Sequence, residues 1–193
     1  YSYPEYLKLD YMAILRYRTD RVLLLIEHIL KHGKTMPKRI LLHGSGSLPV
    51  ISELSYSGFD VWTTYSAVDH DRNRSVDSLP GKFDIIIGNE IMEHYIDPDQ
   101  EFKTISSLLA PGGIFAGSTG IVDIRNKAEV KDWAYVDGRC IGAGHVCLWS
   151  WTALSFMAEK YKLINHSWPG NNKIRSQGNL PSYSGIAMFE KPL

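Results

Sequence analysis

Apolar positions fall at helical steps over residues 6–30, where Leu15, Val22, Ile26 and Ile29 recur on one face and Gly33 is placed to end the run. One or two N-terminal helices are expected there. The pattern then changes period. Residues 38–42 form a short β-favouring run that enters His43-Gly44-Ser45-Gly46-Ser47, after which Val50, Ile51 and Leu54 resume helical spacing up to Gly58. Residues 59–65 predict a second strand. Residues 83–88 (FDIIIG) predict a third, so continuously apolar that burial on both faces is implied.

The alternation continues to the C-terminus. Residues 102–109 predict a helix ended by Pro111-Gly112-Gly113, and residues 114–118 a further buried strand. Residues 150–161 predict a helix with Ser150 as its N-cap, whereas residues 162–168 and 185–190 predict a strand pair joined by a long polar loop. Strands alternating with helices imply an α/β, Rossmann-like fold: a mostly parallel sheet with helices on both faces, closed by an antiparallel C-terminal edge strand. No internal repeat, low-complexity tract or linker divides the chain, so a single domain over residues 1–193 is expected.

Composition narrows the partners. The 193 residues carry 21 basic and 21 acidic side chains, a formal net charge of zero, which removes the electrostatic argument for a nucleic-acid or anionic-membrane partner. No apolar stretch approaches the roughly 20 residues needed to span a bilayer. Cys140 and Cys147 form no metal-ligand spacing and read as free thiols of a reducing compartment, so a cytoplasmic location is expected. The run Val68-Asp69-His70-Asp71 lacks the three or four convergent ligands of a metal site, and no metal is expected.

In an open parallel sheet a ligand binds beyond the carboxyl ends of the strands, typically where the first strand meets its helix, and residues 43–47 sit at that junction. Glycines there let the backbone approach a ligand, although a turn that only packs helix on sheet has the same two glycines. Three segments in order add to this reading: Arg39 to Ser47 (RILLHGSGS), Phe83 to His94 (FDIIIGNEIMEH) and Leu108 to Gly113 (LLAPGG). Together they resemble the class I S-adenosylmethionine-dependent methyltransferases of small-molecule type. The aromatic segment Trp133-Ala134-Tyr135-Val136-Asp137, leading to Gly144-His145-Val146, is similar to the substrate-side insert of that superfamily.

Beyond the N-terminal helices, expected within residues 1–36, the resemblance implies a cofactor-binding half over 37–119, a substrate-side insert over 120–148, and a C-terminal helix and strand pair over 149–193. It implies transfer of the sulfonium methyl group of S-adenosyl-L-methionine, which requires in-line placement of the acceptor at about 3 Å. Gly44, Ser45 and Gly46 would face the methionine part of that cofactor, Asn89 and Glu90 would line the same cavity, Val76 and Asp77 would flank the adenine, and Tyr65 stands where the ribose is held. The chain also departs from the pattern. Leu42 and Leu48 occupy the places of the usual first-strand acid and third glycine, and Tyr65 that of the ribose-binding carboxylate, with Asp69 and Asp71 just beyond.

His145 is the candidate general base, since a neutral imidazole accepts a hydroxyl proton as the methyl arrives. His94 reads as a strand-end hydrogen-bonding residue or as part of the acceptor site. Glu90 and Glu93 read as a carboxylate pair or as caps of the following N–H groups, with capping the preferred role for Glu93. Trp133, Tyr135, Trp149 and Trp151 either wall an acceptor pocket or cover the sheet edge, and the interleaved Asp137, Arg139 and His145 suit a small hydroxylated acceptor such as a sugar or phenolic metabolite. Two other classes compete: a non-catalytic methyltransferase-like interaction module, and a nicotinamide-dependent oxidoreductase, which the replacement of its third fingerprint glycine by Pro49 disfavours. Oligomeric state has no sequence signal.

Overall fold

Side chains along the central strands alternate between two apolar clusters, and this alternation builds the architecture. In a computed structural model, described at residues 20, 22, 23, 25–27, 29, 30, 37–44, 48–64, 79, 81–122, 145–167 and 184–193, the first strand β1 (Arg39–Leu42) sends Ile40 and Leu42 to one cluster and Leu41 to the other. In β3 (Phe83–Asn89), Ile85 and Ile87 go one way and Ile86 the other. That period of two is what a sheet covered on both faces requires.

One face is covered by Val22, Leu25, Ile26 and Ile29 of the N-terminal helical positions and by Val50 and Leu54 of helix α1 (Leu48–Tyr56). The other is covered by Phe102 and Ile105 of helix α2 (Pro98–Leu108) and by Leu154, Met157 and Ala158 of helix α3 (Trp151–Lys160). Phe102 is the hub of that second cluster, with ring centroids 5.3 Å from Phe189, 5.6 Å from Trp149 and 6.1 Å from Phe115. Burying each such side chain contributes roughly 1.5 to 3 kcal/mol.

The remaining strands are β2 (Asp60–Thr63), β4 (Leu109–Val122), β5 (Trp149–Ser150), β6 (Ile164–Asn165) and β7 (Ser184–Glu190). Their order is β2-β1-β3-β4-β7-β6, with β5 paired to β4 off this path. Strands β2, β1, β3 and β4 are parallel, while β7 runs antiparallel to both β4 and β6. The antiparallel C-terminal strand expected from the sequence is thus present one place in from the edge, which two-residue β6 closes. From β1 the chain goes outward to β2 and then returns to lay β3 on the other side, so the switch in strand order lies between β1 and β3.

Local chemistry fixes the helix starts. Asp97 caps α2 by accepting from Gln100 N–H at 3.1 Å with Pro98 in the first turn, and Ser150 caps α3 by accepting from Ala153 N–H at 3.1 Å, as expected for Ser150. Helix α2 begins four residues earlier than its apolar spacing predicted, because this polar first turn carries no apolar signal. The Pro111-Gly112-Gly113 segment lies within β4 and not at the helix end; the β3–β4 register jumps there, from Phe83 opposite Leu109 to Ile85 opposite Ile114.

Candidate functional site

The carboxyl ends of β1 and β3 lie side by side at the strand-order switch, and each ends in a corner with its own chemistry. At the β1 corner His43 N–H donates to Ile87 O at 2.8 Å, continuing the pairing one residue past the strand. Gly44 then turns with φ +66°, a left-handed conformation that costs a side-chain-bearing residue about 1 to 2 kcal/mol. Thr64, just beyond β2, ties the corner: its Oγ1 is 3.0 Å from His43 Nδ1 and 3.3 Å from Gly44 N–H. A Cβ at Gly44 would fall 2.6 Å from Ile91 Cγ1, so packing by Ile91 requires this glycine whatever lies on its open side.

At the β3 corner the backbone carries strain that a glycine would avoid. Glu90 has φ +52°, and the left-handed turn is held by its N–H, which donates to Ser118 O at 3.0 Å and lies 3.1 Å from Ser118 Oγ. Ser118 Oγ is in turn 2.7 Å from Asn89 Oδ1 and 3.2 Å from Glu90 Oε1. Asn89 and Ser118 are both buried, so the end of β4 positions the two polar residues that end β3. Non-glycine residues held left-handed by their surroundings concentrate at binding and catalytic sites.

A 3-10 turn, Met92–His94, follows and places Glu93 in the interior with 1% exposure. Among the described residues its carboxyl oxygen Oε2 has no hydrogen-bond partner. Loss of solvent, and then the negative charge of Glu90, push the Glu93 carboxyl up from about 4.5 to about 7. The segment before α3 docks on this turn. Glu93 O accepts from Val146 N–H at 2.9 Å and from Cys147 N–H at 3.0 Å, and Trp149 Nε1 donates to Met92 O at 2.9 Å. These bonds bring His145 beside His94, with ring centroids 4.9 Å apart in an edge-to-face arrangement, and the donor atoms of Glu93, His94 and His145 lie within 4.8 Å of one another. Burial and then His94 hold the His145 imidazole below its ordinary range, while burial and then Glu93 push the Cys147 thiol up to about 11.

A family profile described as a methyltransferase domain matches residues 14–167. The chain belongs to the class I S-adenosylmethionine-dependent methyltransferase family. A comparison with curated proteins gave no match. Among solved structures, the N-methyltransferase NodS from Bradyrhizobium japonicum WM9 is 16% identical with a TM-score of 0.57, over 96% of this chain and all of that one. Magnesium protoporphyrin IX methyltransferase from Synechocystis PCC 6803, with bound SAH, is 11% identical with a TM-score of 0.60, over 95% and 88%. A 1,6-didemethyltoxoflavin-N1-methyltransferase from Burkholderia thailandensis is 15% identical with a TM-score of 0.59, over 91% and 79%. At such identities the likeness establishes the Rossmann-like methyltransferase fold, in agreement with the fold and family read from the three ordered segments.

Of the residues singled out in this methyltransferase from its sequence, Gly44, Asn89 and Glu90 occupy the adjacent corners, and His94 and His145 meet beside them. Trp149 is buried in the second apolar cluster and binds Met92 O, so it supports the turn from beneath. Ser45, Gly46, Tyr65, Val76, Asp77, Trp133 and Tyr135 lie outside the described residues, as does the Val68-Asp69-His70-Asp71 run. The capping role preferred for Glu93 goes to Asp97, because Glu93 is already buried in the preceding turn. Thr64 and Ser118 were not foreseen; a hydroxyl at a strand end has no sequence pattern of its own. No helix among the described residues is long and apolar enough to cross a membrane.

Proposed function

We propose that this methyltransferase moves the methyl group of S-adenosyl-L-methionine to a small hydroxylated acceptor, such as a sugar or phenolic compound. The observation that carries this reading is the convergence of Glu93, His94 and His145 beside the Gly44 and Glu90 corners. The donors present suit the aminoacyl end of the cofactor. Asn89 and Glu90 offer polar and acidic groups at the strand-order switch, where a cationic nucleoside with an ammonium group is well met. Leu42 is fully buried where the family carries an acid, so that contact is missing. Gly44, Ser45, Gly46, Tyr65, Val76 and Asp77 complete the cofactor side of the proposal.

The bound cofactor supplies a methyl group on positively charged sulfur. The chain supplies position and proton transfer. Asn89, held by Ser118, and Glu90, held in its strained turn, orient the cofactor's amino end. His145 takes up the acceptor hydroxyl proton on a ring nitrogen; its lowered pKa keeps it neutral at physiological pH and ready to accept. His94, Trp133, Tyr135 and Trp149 line or support the acceptor side, with residues 120–148 as its wall, and the compartment proposed is the cytoplasm. The neighbour that methylates 1,6-didemethyltoxoflavin acts on a small molecule, which agrees with an acceptor of that size.

Leu42 also favours a second reading, a methyltransferase-like module that binds a partner without catalysis. Calorimetry with S-adenosylmethionine and with its demethylated product separates the two. Saturable binding of both is expected, with the methyl group appearing on hydroxylated acceptors from a small panel. Silence at millimolar concentration on folded protein would leave the interaction module.

A further inference from the structure

We propose that Glu93, His94 and His145 form a binding site for a first-row divalent transition-metal ion, such as Zn2+ or Co2+, with its open side toward the acceptor. Two imidazoles and a carboxylate are the donor set of three-ligand metal sites that keep a position open for substrate. An ion bonded at about 2.1 Å draws its donors to within roughly 4 Å of each other, so the 4.8 Å spread closes through small side-chain rotations.

The Glu93 carboxyl is buried, 1% exposed, and its Oε2 has no hydrogen-bond partner among the described residues. A buried carboxyl oxygen left unpaired is costly, and a cation at that position satisfies it. The scaffold is also organised in advance. Main-chain bonds from Val146 and Cys147 to Glu93 O, together with the Trp149–Met92 bond, fix the segment bearing His145 against the turn bearing Glu93 and His94. Both histidines are only partly buried. Two carboxylates, Glu90 and Glu93, offset the ion's charge.

The chemical use of the ion rests on the methyl-transfer reading; its binding does not. Coordinated to the metal, an acceptor hydroxyl is acidified and releases its proton to solvent. The resulting oxygen forms its bond to the methyl carbon as the carbon–sulfur bond breaks, with that electron pair remaining on sulfur. His145 then serves as a ligand in the metal-loaded protein and as proton acceptor only without metal.

The test uses the full chain after chelator treatment, titrated with Co2+ and followed by visible d–d absorption. Saturable absorption is expected. His94→Ala and His145→Ala should each weaken it by about a hundredfold or more, the upper range of what losing even an outer partner of a metal ligand costs. His166→Ala, at an exposed histidine on the far sheet edge, should leave it unchanged. Should the histidine variants misfold, Zn2+ protection of His94 and His145 from diethyl pyrocarbonate in the unmutated protein, mapped by peptide mass, gives the same answer. Absence of saturable absorption, absorption retained in both variants, or no protection would overturn the site. Calorimetry with the demethylated cofactor in chelator runs alongside. Nucleoside binding without a metal signal overturns the metal site alone, and a metal signal without nucleoside binding overturns the methyl-transfer reading while upholding the site.

Discussion

The two corners at the carboxyl edge are built in opposite ways. At β1 the turn is made by a glycine whose face is filled by an apolar side chain, Ile91, and the hydrogen bonds come from a neighbouring strand end. At β3 a non-glycine residue, Glu90, takes the left-handed conformation, and a buried carboxylate follows within three residues. The first corner spends its constraint on packing. The second stores backbone strain and electrostatic cost, which a structure retains where binding or chemistry needs them. The difference teaches that the more recognisable motif need not be the more reactive one.

Gly44→Val gives the largest effect expected and tests the packing role of the first corner. A branched residue at φ +66°, with a Cβ 2.6 Å from Ile91, should destabilise the fold by about 4 kcal/mol, combining left-handed strain with overpacking. Denaturant melts measure this, and trimming Ile91 to Ala in the same chain should return part of the loss. Unchanged stability would mean that the glycine serves only a ligand.

Glu93→Gln tests the cost held at the second corner. With its folded pKa raised to about 7, Glu93 binds its proton more tightly in the folded chain than in the unfolded one, so its contribution is fully present below about pH 4.5 and is lost as pH rises through 7. Glutamine, neutral throughout, should therefore raise stability above pH 7 by on the order of 3 kcal/mol in metal-free buffer and flatten the pH profile between those limits. Thermal melts from pH 4 to pH 9 follow both chains, and parallel profiles would remove the electrostatic account of this corner.

Trp149→Phe gives the smallest effect, roughly 1 kcal/mol for the lost hydrogen bond to Met92 O. Its sharper readout is local. Amide exchange at Val146 and Cys147 should quicken, because the indole helps hold that segment on the Glu93 turn; exchange unchanged at both amides would show that the main-chain bonds suffice.

The described core and the start of α3 were open to a sequence reading because their causes lie within a few residues. The continuously apolar runs in RILL and FDIIIG demand apolar cover on both faces, and Ser150 beside an apolar helical run is a cap by its own hydroxyl. The same locality misplaced the start of α2, whose first turn is polar, and the role of Glu93, whose burial comes from a turn with no apolar period.

The sequence by itself determined the layered α/β fold, the glycine at the β1 corner and the ordered segments of the methyltransferase family, since each is set by short-range sterics and hydrophobic spacing. Only the tertiary structure decided that His145 stands beside Glu93 and His94. That meeting depends on hydrogen bonds between segments as much as 57 positions apart, Trp149 to Met92 among them. A cluster made by strand order and long-range docking leaves no periodic trace along the chain, because its members are neighbours only after the sheet has formed.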